Sequence, residues 1–212
     1  MKAMAALPEE DLTPLHPVIE AAARGKLPDW TMAGPGRRKH MARVAKLLET
    51  WAEKRGESPR ERARWIALGY LHDALREADE DLMRPLVEPG FRELPTKILH
   101  GPAVAQRLRG EGVEDEEFLH AAAFHTLGSA DFAALGKALF AADFLEPGRK
   151  LQDDWRAKLR KRAPGDLDGV VKEILLARIR HLLARGRPLR VETVAFWNRF
   201  CEGDGWASAF EL

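Results

Sequence analysis

Apolar residues recur at three- and four-residue intervals along most of this chain, the period of helices that bury one face. His40, Val44, Leu47, Leu48 and Trp51 share such a face and predict a helix over about 36–55, stopped by Gly56. Ser58-Pro59 is a cap followed by proline at the first turn, so a second helix starts there. Its stripe of Leu68, Leu71, His72 and Leu75 turns His72 inward, with Asp73 beside it. Residues 77–97, with Pro85, Pro89, Gly90 and Pro95, read as a loop with one short helix. Gly101-Pro102 is read as the opening of the next helix, which puts His100 at its entrance. Phe118, Ala121, Ala122 and His125 lie on one face of a helix over 114–127, whose acidic start, Glu114 to Glu117, suits the positive end of the helix dipole. Phe132, Leu135, Leu139 and Asp143 predict a helix over about 131–145, ended by Pro147-Gly148. A basic helix (about 150–162), a long one (about 166–185, stripe Val171, Leu175, Ile179, Leu182) and a last one (about 191–201) follow.

The fold class is therefore all-α, a helical bundle, with no alternating β-branched runs. Five prolines in residues 1–35 mark an N-terminal appendage with room for one short helix near 17–25. Residues 36–202 form the domain, and 203–212 a tail. The length of 212 residues suits one domain. A net charge of +1 gives no global field that would select a nucleic acid or an anionic membrane, so neither is expected as partner. The single cysteine, Cys201, excludes an intrachain disulfide and suits a reducing cytoplasm, the expected location. No apolar run approaches the ~20 residues of a membrane span.

Against that background the ionisable residues on the apolar stripes stand out. His40, the pair His72-Asp73, His100, His125 and Asp143 each belong to a different stripe or stripe end. Burying such groups is costly unless they find partners. Four imidazoles and two carboxylates converging in a helical core are a ligand set for Mn, Fe or Zn. Asp73, with two oxygens, could bridge two ions, and a two-metal site stabilises both the attacking and the leaving oxygen of a phosphoryl displacement. A lone histidine on an apolar face is more often an ordinary core residue, and an isolated His-Asp pair occurs by chance; the ordered set is what is specific.

That order resembles the HD-domain phosphohydrolases. The words "GYLHDALRE", "ILHGPAVAQRL" and "AAAFHTLGSADFAALGKALFAADFLEPGR" resemble, more closely, the bacterial HD-domain symmetrical bis(5'-nucleosyl)-tetraphosphatases, over roughly residues 36–200. The resemblance implies an HD helical bundle with a metal site in its core, two metal ions, most often iron with Mn or Zn as options, and hydrolysis of diadenosine tetraphosphate to two ADP by a metal-bridging hydroxide. It implies His40, His72, Asp73 and Asp143 around one ion and Asp73, His100 and His125 around the other. Arg76 stands where the family has lysine; with Asp73 it is the expected catalytic pair. Arg76, Thr126, Lys137 and Arg149 are the expected substrate contacts. Ser129 and Gly136 also depart from the family's usual residues, which bears on the substrate and not on the metal ligands.

His16, His120 and His181 match no motif position and read as surface or paired residues. The charge run Lys150, Arg156, Lys158, Arg160, Lys161 and Arg162 reads as a solvated face ahead of a polyphosphate surface. Two other functions stay open: an HD hydrolase of another nucleotide, such as a nucleoside monophosphate or cyclic dinucleotide, and a catalytically weak nucleotide sensor. A homodimer stays open as well.

Overall fold

The computed structural model describes residues 14–149 and 151–202, and among them every regular element is helical. In chain order these are α1 (Pro17–Ala23), α2 (Pro35–Arg55), α3 (Pro59–Leu71), α4 (Glu80–Met83), α5 (Thr96–Gly110), α6 (Glu116–Phe124), α7 (Ala134–Leu145), α8 (Asp153–Arg162), α9 (Leu167–Leu183) and α10 (Val191–Cys201). A short 3₁₀ turn spans Pro89–Phe91.

Two antiparallel hairpins organise the bundle. In the first, α2 ends at Gly56, whose φ of 73° gives the left-handed cap that glycine adopts without strain. Ser58 Oγ then accepts the Glu61 N–H (3.1 Å) to start α3. The pairs Glu53–Arg62 and Arg37–Asp73 lie at the two ends of this hairpin. Between them Gly69 sits so close to α2 that an added Cβ would lie 2.5 Å from the Ala45 Cα. In the second hairpin α5 and α6 are joined by residues 111–115, with Arg109–Glu116 at the closed end. Gly101 is at the close approach there: an added Cβ would lie 2.7 Å from the Ala123 carbonyl oxygen and 2.9 Å from that of Ala122.

The two hairpins meet through Arg64. Its buried guanidinium on α3 holds Asp115 with two bonds of 2.8 Å and also reaches Glu61 and Glu117. Asp115 at the same time accepts the Phe118 N–H (3.1 Å) and caps α6. Trp51, Trp65, Phe118, Phe140 and Phe196 are fully buried between the helices.

Some elements differ from the sequence expectation, for identifiable reasons. Helix α5 begins at Thr96, and Pro102 lies inside it. A proline at that point removes one backbone bond, to the carbonyl four residues earlier, and burial of Gly101, Pro102, Ala103 and Val104 outweighs the loss. His100 therefore sits in the second turn of α5 and not at its entrance. Segment 77–97 holds a 3₁₀ turn besides the one short helix expected. The described part of the stretch read as an appendage, 14–35, is docked on the body: α1 packs on α3, and Ile19 and Ala22 are fully buried.

The basic helix α8 closes the end of α7. Arg156 donates to the carbonyls of Phe144 and Leu151, and Arg160 to that of Leu145 (2.9 Å). Those of Phe144 and Leu145 are left over at the C-terminus of α7, where cations are favoured. The charge run thus does structural work through two of its arginines; Lys150 and the tail from 203 lie outside the described residues.

Candidate metal centre

Asp73 is 4% exposed and stands at the open ends of both hairpins. Its Oδ2 lies 3.5 Å from His40 Nε2 and 3.6 Å from His72 Nε2. Its Oδ1 lies 3.0 Å from His100 Nε2 and 3.7 Å from His125 Nε2. One carboxylate is thus faced by two pairs of histidines, one pair from each hairpin. Asp143, on the last turn of α7, adds a second carboxylate, its Oδ1 3.1 Å from His40 Nε2. All four histidines are buried.

Each hairpin delivers one of these histidines by stopping a helix. His72 is the C-cap of α3, and its Nδ1 is 2.9 Å from the Gly69 carbonyl oxygen. His125 is the C-cap of α6, and its Nδ1 is 2.8 Å from the Ala122 carbonyl oxygen. In both cases the ring donates to the carbonyl that a continuing helix would offer to the next residue's N–H. The side chain ends the helix, and the same bond favours the tautomer whose single N–H is on Nδ1. Nε2 is left as a lone-pair donor aimed at Asp73.

His40, in mid-helix, has no such local acceptor. Its Nδ1 is 3.3 Å from Glu146 Oε1, on the far side of the chain. Glu146 in turn accepts bonds from Arg43 and from the Gly148 N–H (2.7 Å). Burial pushes the Glu146 carboxyl up, but these bonds outweigh it and hold the group below its ordinary value. It remains an anion able to fix the His40 ring.

The electrostatics are those of a site that wants cations. Burial lowers His72 to about 4 and His100 to about 4, so both are neutral at pH 7. Burial also pushes Asp73 up, but the surrounding imidazoles of His72, His100 and His125 together hold it well below the carboxylate range. Burial raises Asp143 as well, but the nearby His40 ring and the Arg149 charge, with the other groups around it, together hold it low. Burial lowers His125, yet its bond to Asp73 and the Asp73 charge leave it raised. Nε2 of His40 and of His72 are buried without a hydrogen-bond partner, although carboxylate oxygens stand within 3.6 Å. Lone pairs facing carboxylates with no proton between them are stabilised by a metal ion. Two three-residue sets could each hold one: His40, His72 and Asp73, and Asp73, His100 and His125. Imidazole nitrogen with carboxylate oxygen fits Fe, Mn or Zn.

Four cations surround the cluster. Arg37 Nη1 donates to Asp73 Oδ2 (2.7 Å). Arg149 donates to Asp143 twice, from Nη2 to Oδ1 and from Nε to the backbone carbonyl, each 2.8 Å. Arg178 on α9 donates to the Thr126 carbonyl and stacks on the Phe140 ring, 4.8 Å from its centre. Arg76 is half-buried and close enough to His100 for its charge to lower that ring. Thr126 Oγ1 lies 3.2 Å from His125 Nε2. Lys137 lies elsewhere: it is bonded to Asp168 (2.8 Å) and stands 5.7 Å from the Phe200 ring. Six residues before Asp143, it is ~9 Å back along α7 and on another face. The depression it lines, about 810 Å³, contains none of the six histidine and aspartate residues.

Arg37, Glu146 and Arg178 went unread in the sequence. Arg37 is one helical turn before His40 and Glu146 lies within the "EPGR" word, so both carried a signal; Arg178 carried none. His16 caps α1 through the Val18 N–H, His120 bonds Ser129 (2.9 Å), and His181 is exposed.

A family model described as "HD domain" matches residues 37–173. The chain is 33% identical over 135 residues to a protein of Halalkalibacterium halodurans named "Bis(5'-nucleosyl)-tetraphosphatase, symmetrical", covering 61% of this chain and 71% of that one. A Staphylococcus aureus protein of the same name is 30% identical over 144 residues, 64% of this chain and 73% of that one. A solved structure from Clostridium acetobutylicum, described as a predicted HD superfamily hydrolase involved in NAD metabolism, shares the fold with a TM-score of 0.70. The two are 23% identical, over 87% of this chain and 95% of that one.

Proposed function

The chain belongs to the HD-domain family of metal-dependent phosphohydrolases, and within that family we propose that it splits diadenosine tetraphosphate symmetrically into two ADP. The observation that carries this reading is Asp73, one carboxylate faced by two pairs of buried histidines, one pair from each hairpin. The names of the relatives support the choice of substrate.

In this reading His40, His72, Asp143 and Asp73 would hold one ion, and Asp73, His100 and His125 the other. Iron is the proposed metal. When bound, such ions would supply Lewis acidity and a water activated at neutral pH. The chain's residues do the rest. Asp73 sets the spacing of the two halves. The bonds from Nδ1 of His72 and His125 to backbone carbonyls turn the Nε2 atoms of these two rings toward Asp73. Arg76 and Arg149 take the charged phosphate oxygens, and Thr126 Oγ donates to one of them. The departing ADP leaves as an anion, so stabilising its charge matters more than protonating it. Symmetrical cleavage requires the second phosphate from one nucleoside to lie over Asp73, with an ADP-sized half seated among these cations.

Chromatography of the products tests the proposal. ADP alone is expected, with ADP inhibiting and adenosine not. AMP plus ATP would show a different register. No cleavage by metal-loaded protein would hand the site to another nucleotide.

A further inference from the structure

Arg37 is the one arginine seen bonded to the shared carboxylate among the described residues, and nothing in the proposed reaction uses it. It meets Asp73 on Oδ2, the same oxygen that faces His40 and His72. A cation in front of that oxygen occupies space and charge that a metal ion at the first histidine pair needs. How firmly Arg37 is held there differs from its counterpart. Arg149 is pinned to Asp143 by the backbone carbonyl as well as the carboxylate. Among the described residues Arg37 meets no backbone acceptor; its Nε is buried without a hydrogen bond, and Glu77 Oε1 is 3.8 Å away. Its side chain is 27% exposed, so it lies at the mouth of the site and not beneath it.

We propose that Arg37 is an exchangeable cation: it neutralises Asp73 in the metal-free chain, yields Oδ2 when metal binds, and then takes a phosphate oxygen of the substrate. Like charge drives the exchange, because a guanidinium and a polyvalent cation on one oxygen repel each other. The forked guanidinium suits a phosphate as well as a carboxylate, so its next partner is an anionic oxygen entering beside the metals. Arg37 is then a substrate-binding residue whose presence weakens metal affinity. The inference rests on the two-metal reading of the site but not on which nucleotide is cleaved.

Opposite signs on two ligands make the test. Calorimetry of metal-stripped wild type, R37Q and R37K with Mn²⁺ measures the first. Binding of inorganic pyrophosphate to the Mn²⁺-loaded forms measures the second. R37Q is expected to bind Mn²⁺ roughly 3- to 10-fold more tightly and pyrophosphate roughly 10- to 100-fold more weakly. R37K, which keeps the charge without the fork, is expected to match wild type for Mn²⁺ and fall between the two for pyrophosphate. If R37Q binds Mn²⁺ more weakly, Arg37 is a fixed orienting partner of Asp73 and the exchange is overturned. Unchanged pyrophosphate affinity overturns the phosphate contact. Wild type that binds no Mn²⁺ overturns the metal centre itself, a result distinct from either.

Discussion

The two hairpins solve the same problem with different reach. In α5/α6 the acceptor that orients His125 is local, the Ala122 carbonyl three residues back, and within the same hairpin Gly101 lets α5 press on that carbonyl. In α2/α3, His72 is set by the same local device through Gly69. Its companion His40, however, depends on Glu146, 106 residues away. His100 in the second hairpin has no hydrogen-bond partner for Nδ1 among the described residues. The comparison teaches that a histidine at a helix end carries its own orienting acceptor, whereas one in mid-helix must import it or do without.

The largest effect should come from the group both hairpins share. Asp73→Ala is expected to abolish hydrolysis and remove bound metal from both halves; metal per chain and turnover measured together check this, and turnover near wild type would refute a bridging role. Glu146→Ala should break the comparison on one side only. Outer partners of a ligand histidine are worth about 10- to 100-fold in metal affinity. A loss of that size is expected for one ion while the second titrates near its wild-type value. Equal loss of both would show that the halves are not independent.

The glycines sharpen the comparison from the packing side. Gly101→Ala must push α5 from the Ala122 and Ala123 carbonyls, and Gly69→Ala must push α3 from the Ala45 backbone. Overpacking of this kind costs about 1–3 kcal/mol. Thermal unfolding should show both losses, with the metal defect of Gly101→Ala confined to the His100–His125 half. Arg76→Ala, by contrast, should leave metal content unchanged and weaken nucleotide binding by roughly 10- to 100-fold, the worth of a charge-assisted bond. Unchanged kinetics would make Arg76 a solvated residue.

The smallest effect is on pH. His72 and His100 are depressed to about 4 in the folded chain, against 6.5 unfolded. Between those values the unfolded chain takes up protons that the folded chain does not. Stability of the metal-free protein should therefore fall as pH drops from about 6.5 to about 4. His125, raised when folded, works in the opposite direction and reduces the slope. Denaturant titrations across that range measure it; a flat profile would mean that the two rings are not neutral in the fold.

Periodicity and capping chemistry are local, and they were legible. The stops at Gly56 and Ser58-Pro59 and the inward stripes of α2, α3 and α6 follow from residues within a turn or two. Helix α5 was misplaced because a proline penalty is local while the burial that overrides it is not. The same division runs through the site. Residue type and order brought His40, His72, Asp73, His100, His125 and Asp143 forward, since ionisable groups on apolar stripes need partners. That Glu146 orients His40, that Lys137 is held by Asp168 away from the cluster, and that Arg37 rests on Asp73 were decided only by the tertiary structure. A long charged side chain can reach several acceptors, and which one it meets depends on how distant helices pack, a property no stretch of sequence contains by itself.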